Sequence, residues 1–256
     1  MRFYKRDALY FLMFIILLSY ILSKIGFYDN IRRSIYISEQ KALSKKIMSY
    51  SEEYKIKETL YADIYYTLDD TDFIGTVERM TDVYSPLLKN DFGIDKELDK
   101  LKIVVYPEKK DLESAIGLNY NGKAPMGVYY GGVINLLSPT LYIEYEKYPE
   151  FIDYFLEKGP IIHELAHYML DLKTDGNFEI WFSEGLALYY EKKYTGFEWR
   201  KDLENESKEI AYFELKSNFY RLDESLAYRR SFDIINNFVE VNGEEQLQQI
   251  ISYGRK

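Results

Sequence analysis

The segment "GPIIHELAHYML", Gly159 to Leu170, holds both histidines of a 256-residue chain, His163 and His167, with Glu164 directly after the first. On a helix, four residues make about one turn, so the two imidazoles share a face. Gly159-Pro160 supplies a break and then a residue suited to a first helical turn, and "IIHELAHYML" contains no breaker. Ile162, Leu165, Ala166 and Met169 can bury one side while the histidines face a cleft. The pattern is H-E-x-x-H: two neutral imidazoles for zinc and a carboxylate to handle water. Glu164 stands about 100° round the helix from His163, so it can reach that water without ligating the metal.

Such a site needs a third protein ligand. The chain has no cysteine and no further histidine, so that ligand must be a carboxylate. The pattern with a third histidine six residues beyond His167 is excluded, because Lys173 stands there. Asp171, Asp175, Glu179, Glu184 and Glu191 are the available groups. Asp171 lies on the same helix but about 40° beyond the face the pair shares. "KTDGN", Lys173 to Asn177, is a turn that lets the chain reverse, and "WFSEGLALYYEKKY" then reads as a second helix with Ser183 near its start. Glu184 sits on that rigid element and can pack across the first helix, which makes it the best candidate. Two imidazoles and one carboxylate leave zinc positively charged with an open position. Water there is acidified towards neutrality and a substrate carbonyl can be polarised.

"HELAH" followed by "WFSEGLALYYE" resembles the gluzincin metallopeptidases, in particular the small peptidase MA-like proteins of bacteria. The resemblance spans roughly Tyr61 to Ile251. "ADIYYTLDD" and "KIVVYP" are similar to its first strands, "GVYYGGVINLLSP" to the hairpin before the catalytic helix, and "YRRSFDIINNFVEVNGEEQL" to its closing helices. Ile180 replaces a proline common in the family just before the tryptophan, a change in loop stiffness that leaves the ligands untouched. The resemblance implies a zinc peptidase acting on a peptide or protein. It also implies a donor to the reacting oxygen from the closing segment, where "LAYRRSFDIINNF" places Tyr228, with Arg229 and Arg230 beside it. Gluzincin aminopeptidases hold the substrate's amine with a glutamate in a Gly-Ala-Met-Glu-Asn motif. "GGVIN" resembles that motif with Ile134 in the glutamate's place, which implies an endopeptidase rather than an aminopeptidase. The contrasting reading is a membrane-tethered binding or scaffold protein with a structural zinc, and Glu164 argues against it, because a structural site has no use for an unligated carboxylate.

The elements that must position these residues read as α+β: a small twisted sheet plus a helical catalytic lobe, the HExxH helix lying beside an edge strand. "YADIYYTL" and "LKIVVY" are β-rich, and "MGVYYGGVINLLSP" is a strand pair around Gly131-Gly132. "DFIGTVERMTDVYSPLL" has helical spacing in Ile74, Val77, Val83, Tyr84 and Leu87, and "KDLESAIGLNY" is a short helix. An exposed edge can pair with an extended peptide through main-chain bonds.

Composition narrows the partners. With 33 basic and 42 acidic residues the net charge is −9, and no basic patch stands out, so nucleic acid is not expected as a partner. Residues 1–28 read best as an uncleaved signal anchor, with a cleaved signal peptide or a buried core helix as the alternatives: Arg2, Lys5 and Arg6 precede an uncharged run from Ala8 to Ser23, and no small-x-small cleavage site follows. The tighter basic cluster is N-terminal, which predicts a single-pass protein of the cell membrane with its catalytic domain outside. Residues 29–58 read as an amphipathic helical stalk that packs against the domain or lies near the membrane, with Ile31, Ile35, Leu43, Ile47, Tyr50 and Tyr54 at helical spacings, and residues 59–256 as the catalytic domain.

Overall fold

A computed structural model describes residues 12–13, 15–20, 24, 26–67, 70–120, 122, 124–139 and 147–253. Five strands, β1 (Lys55–Glu58), β2 (Ala62–Tyr66), β3 (Leu101–Tyr106), β4 (Gly127–Tyr130) and β5 (Val133–Leu137), form one sheet in the order β1-β2-β3-β5-β4. The outer pairs are antiparallel and the inner ones, β2–β3 and β3–β5, are parallel. The inner strands "LKIVVY" and "VINLL" are nearly unbroken apolar runs because both of their faces are covered.

Alternation divides their side chains between two cores. Ile103, Val105, Ile134 and Leu136 join the larger one with Ile64, Ile161, Ile162 and Leu165. Val104, Tyr106, Val133 and Leu137 face the other way, onto Ile47 of α1 (Phe27–Tyr50) and Leu112, Ala115 and Ile116 of α3 (Lys109–Ile116). Gly131 and Gly132, at φ 61° and 73°, make the two-residue turn between β4 and β5. A side chain on Gly131 would strike Leu43 and Ile47, so α1 lies directly against the hairpin.

The helical lobe contains α2 (Thr71–Asp91), α4 (Tyr148–Lys158), α5 (Ile161–Thr174), α6 (Ile180–Thr195), α7 (Glu204–Ser207), α8 (Tyr212–Asn218), α9 (Glu224–Asn242) and α10 (Glu244–Tyr253). Helix α5 begins just after Pro160 and ends at Asp175 and Gly176, both left-handed, at φ 52° and 73°. It therefore runs through Lys173 and Thr174, and the reversal starts two residues later than the sequence suggests. Helix α6 is buried over most of its length, from Trp181 through Tyr190, between α5 and α9. Gly185 makes that crossing possible: a Cβ there would lie 2.4 Å from the Ser231 carbonyl oxygen of α9.

The architecture is α+β, as expected, with two differences. The stalk helix stops at Tyr50, and Lys55–Glu58 forms an outer strand of the sheet, so the end of the 29–58 segment belongs to the fold. Helix α1 packs on the domain, one of the two placements expected of the stalk, with Ile47 fully buried, while Ile31 and Ile35 are exposed. In α2 the buried face is Phe73, Ile74, Val77, Met80 and Leu88; Val83 and Leu87 face outward. Among the described residues no helix is long and apolar enough to cross a membrane. The run Ala8–Ser23 lies partly outside the described residues; its described parts, 12–13 and 15–20, are helical.

Candidate metal centre

Helices α5 and α6 bring His163, His167 and Glu184 together, with one ligand atom from each all within 4.8 Å of one another. The Glu184 Oε2 atom is 3.1 Å from His163 Nε2 and 3.5 Å from His167 Nε2. Ligand atoms at zinc–ligand distances of 2.0–2.1 Å in a tetrahedron stand roughly 3.3 Å apart. The donor set therefore has the chemistry and the spacing to hold a metal ion, with zinc among those it suits.

The far side of each ring is also held. His163 Nδ1 lies 3.3 Å from Glu191 Oε1, and His167 Nδ1 lies 2.7 Å from Ser183 Oγ. Both orienting groups come from α6: Ser183 precedes the candidate ligand, and Glu191 follows it by about two helical turns on the same face. A partner on Nδ1 aims Nε2 at the third ligand, the arrangement that fixes metal-binding histidines.

Electrostatics follow from packing charges into a buried space. Burial opposes charging His163, but the Glu184 and Glu191 carboxylates outweigh it and hold the imidazole well above its usual pKa. Burial likewise opposes charge on Glu184, yet His167 and His163 draw its pKa well below the carboxylate range. Glu164 differs. Burial raises its pKa, and the two imidazoles and a main-chain donor only partly offset that. Its Oε2 accepts the Tyr129 N–H of β4 at 2.6 Å and it touches neither histidine nitrogen within ion-pair range.

Tyr228 comes to the same place from α9. Its phenol borders Glu184, and burial followed by that carboxylate pushes its pKa up. Its ring sits between Trp199 and Phe219, at centroid distances of 6.0 and 5.7 Å. The neighbouring arginines serve the scaffold. Arg229 binds Glu198 and Asp233, each at 2.8 Å, and Arg230 Nε donates to the Ile210 carbonyl oxygen.

The other carboxylates considered as ligands are engaged elsewhere. Asp171 accepts the Tyr36 and Tyr129 hydroxyls, Asp175 pairs with Arg33, and Glu179 binds Trp181 Nε1 and Lys216. Glu191 supports a histidine from behind. Ile134 does not line the cleft: it is fully buried in β5, an inner strand, while the strand beside α5 is β4. Its mismatch with the aminopeptidase glutamate therefore says nothing about a substrate amine. Sequence reasoning missed Tyr129 and Tyr36 and the orienting role of Ser183 and Glu191. The spacing of Glu184 and Glu191 was a usable signal; nothing local marked the tyrosines among 27. Comparison with known proteins finds no family model that matches the chain and no significant match among curated proteins.

Proposed function

We propose that the chain is a zinc-dependent peptidase of the gluzincin kind, tethered to a membrane by its N-terminal apolar run. One observation supports this above the others: two histidines, oriented from behind, converge on one carboxylate while a second carboxylate, Glu164, stands beside them unligated. His163, His167 and Glu184 would hold the ion. When bound, zinc supplies Lewis acidity to a carbonyl and acidifies a water.

The chain's own groups do the rest. Glu164 is fixed through one oxygen by the Tyr129 N–H, which leaves the other to accept a proton from the attacking water and deliver it to the departing amine. The Tyr228 phenol is protonated at neutral pH, as phenols ordinarily are, and donates to the carbonyl oxygen as negative charge grows there. The edge strand β4 lies along α5 and gives its outward Tyr129 N–H to Glu164, so its part is to place that carboxylate.

Zinc content and hydrolysis of a peptide library, with free and blocked N-termini, test this in full-length protein. The expected result is one zinc per chain, cleavage by the wild type, and no cleavage by a zinc-loaded Glu164→Gln variant. Loss of cleavage on blocking the N-terminus would identify an aminopeptidase. Zinc retained by a wild type that cleaves nothing would identify a metal-holding scaffold instead.

A further inference from the structure

The strand that positions Glu164 is itself held by a hydrogen-bonded latch reaching back to the N-terminal helix. The Asp171 carboxylate lies one turn beyond His167 on α5. Its Oδ2 accepts the Tyr129 hydroxyl at 2.6 Å and its Oδ1 accepts the Tyr36 hydroxyl of α1 at 2.7 Å. The Tyr36 ring covers Gly176, where a Cβ would lie 2.5 Å from the ring, so only glycine lets the helix end and the ring meet. Arg33 reinforces the contact one turn earlier on α1, 2.8 Å from Asp175.

Tyr129 thus has two anchors on one helix. Its phenol is bound to Asp171 and its main-chain N–H to Glu164, and its ring packs on Tyr168 at 6.1 Å. The register explains why that N–H is available. Leu137 N–H donates to the Met126 carbonyl, so alternate residues of β4 turn towards β5, and Tyr129, opposite Ile134, turns its main chain outward at the sheet edge. An edge-strand N–H without such an anchor moves with the edge. We propose that Asp171 is a positioning residue: by gripping Tyr129 and Tyr36 together it fixes the edge strand against the catalytic helix, sets where the Tyr129 N–H holds Glu164, and joins that setting to helix α1.

This rests on the peptidase reading for its catalytic consequence, but the latch can be tested without it. Amide hydrogen exchange at Tyr129 is measured in full-length wild type and in Tyr129→Phe, Tyr36→Phe and Asp171→Asn. The phenylalanine variants keep the rings and remove only the hydroxyls. Exchange at Tyr129 should rise roughly tenfold in Tyr129→Phe and by less in Tyr36→Phe, while β3 and β5 exchange as in the wild type. Zinc content should not change. Turnover of a cleaved peptide should fall roughly tenfold in Tyr129→Phe, mainly in kcat, because the ligands are intact and the placement of Glu164 is not. Unchanged exchange at Tyr129 in both Tyr129→Phe and Asp171→Asn overturns the latch. So does an equal rise across β3 and β5, which would mark a general structural role. If the wild type cleaves no peptide, the exchange result still decides the latch, and the peptidase reading fails alone.

Discussion

The two walls of the candidate centre are built differently. On the helical wall, His163 and His167 meet Glu184 and Ser183 across chain separations of 21 and 16 residues, all on two consecutive helices. On the strand wall, Glu164 and Asp171 meet Tyr129 at separations of 35 and 42, and Asp171 meets Tyr36 at 135. The helical wall needs only one helix pair to dock. The strand wall needs the sheet formed, its hairpin in register and α1 folded back. The helical wall should therefore govern whether metal is held, and the strand wall how well the held site works.

The sharpest way to break that division is to remove ligands. His163→Ala, His167→Ala and Glu184→Ala should each abolish stoichiometric zinc binding and activity with it, read by metal analysis after dialysis, because each deletes a donor from a set of three. Full zinc occupancy in Glu184→Ala would move the third ligand elsewhere and undo the assignment.

Smaller effects should sort by wall. Tyr228→Phe removes the donor proposed for the reacting oxygen and no candidate ligand, so turnover should fall about 10²-fold with zinc content intact. Unchanged turnover would remove Tyr228 from the chemistry. Glu191→Gln leaves the three ligands in place but weakens the hold behind His163, so zinc affinity should fall about 10- to 100-fold, measured by competition with a chelator. An unaltered affinity would mean that packing, and not Glu191, orients the ring.

The same difference explains what could be read in the sequence. Helical periodicity placed His163, His167 and Glu184 on facing surfaces, because within a helix spacing fixes direction. It could not show that Tyr129 turns its N–H outward, since that depends on the parity of pairing with β5, which a shift of one residue reverses. Lys55–Glu58, a short polar stretch, has no apolar alternation and becomes a strand only because β2 offers an edge. Val83 and Leu87 fit a helical stripe, yet the face that packs is set by where α5 and the sheet lie, which no local pattern encodes. Ile134 shows the opposite error: a short motif matched in type but belongs to an inner strand, where its side chain is fully buried.

The smallest predicted effect is a pH dependence that differs with and without zinc. In metal-free protein the folded-state pKa of His163 is raised above its ordinary 6.5, because Glu184 and Glu191 outweigh the cost of burial. Its contribution to stability is fully present below pH 6.5 and is lost as pH rises through the raised value. Glu184 acts in the opposite sense, since its pKa is depressed below 4.5: its contribution is present above 4.5 and is lost as pH falls. Metal-free protein should therefore lose stability as pH is raised above about 6.5, read as a Tm decrease of roughly 2–4 °C per kcal/mol lost. Zinc competes with the proton for the same imidazoles, so the stabilisation it adds should grow over the rise from pH 5.5 to 7.5. Thermal melts should show the metal-free curve falling above pH 6.5, while the zinc-bound curve rises up to about pH 6.5 and then stays flat. Parallel curves would mean that His163 keeps one protonation state throughout and that its two carboxylate neighbours do not act on it as their distances imply.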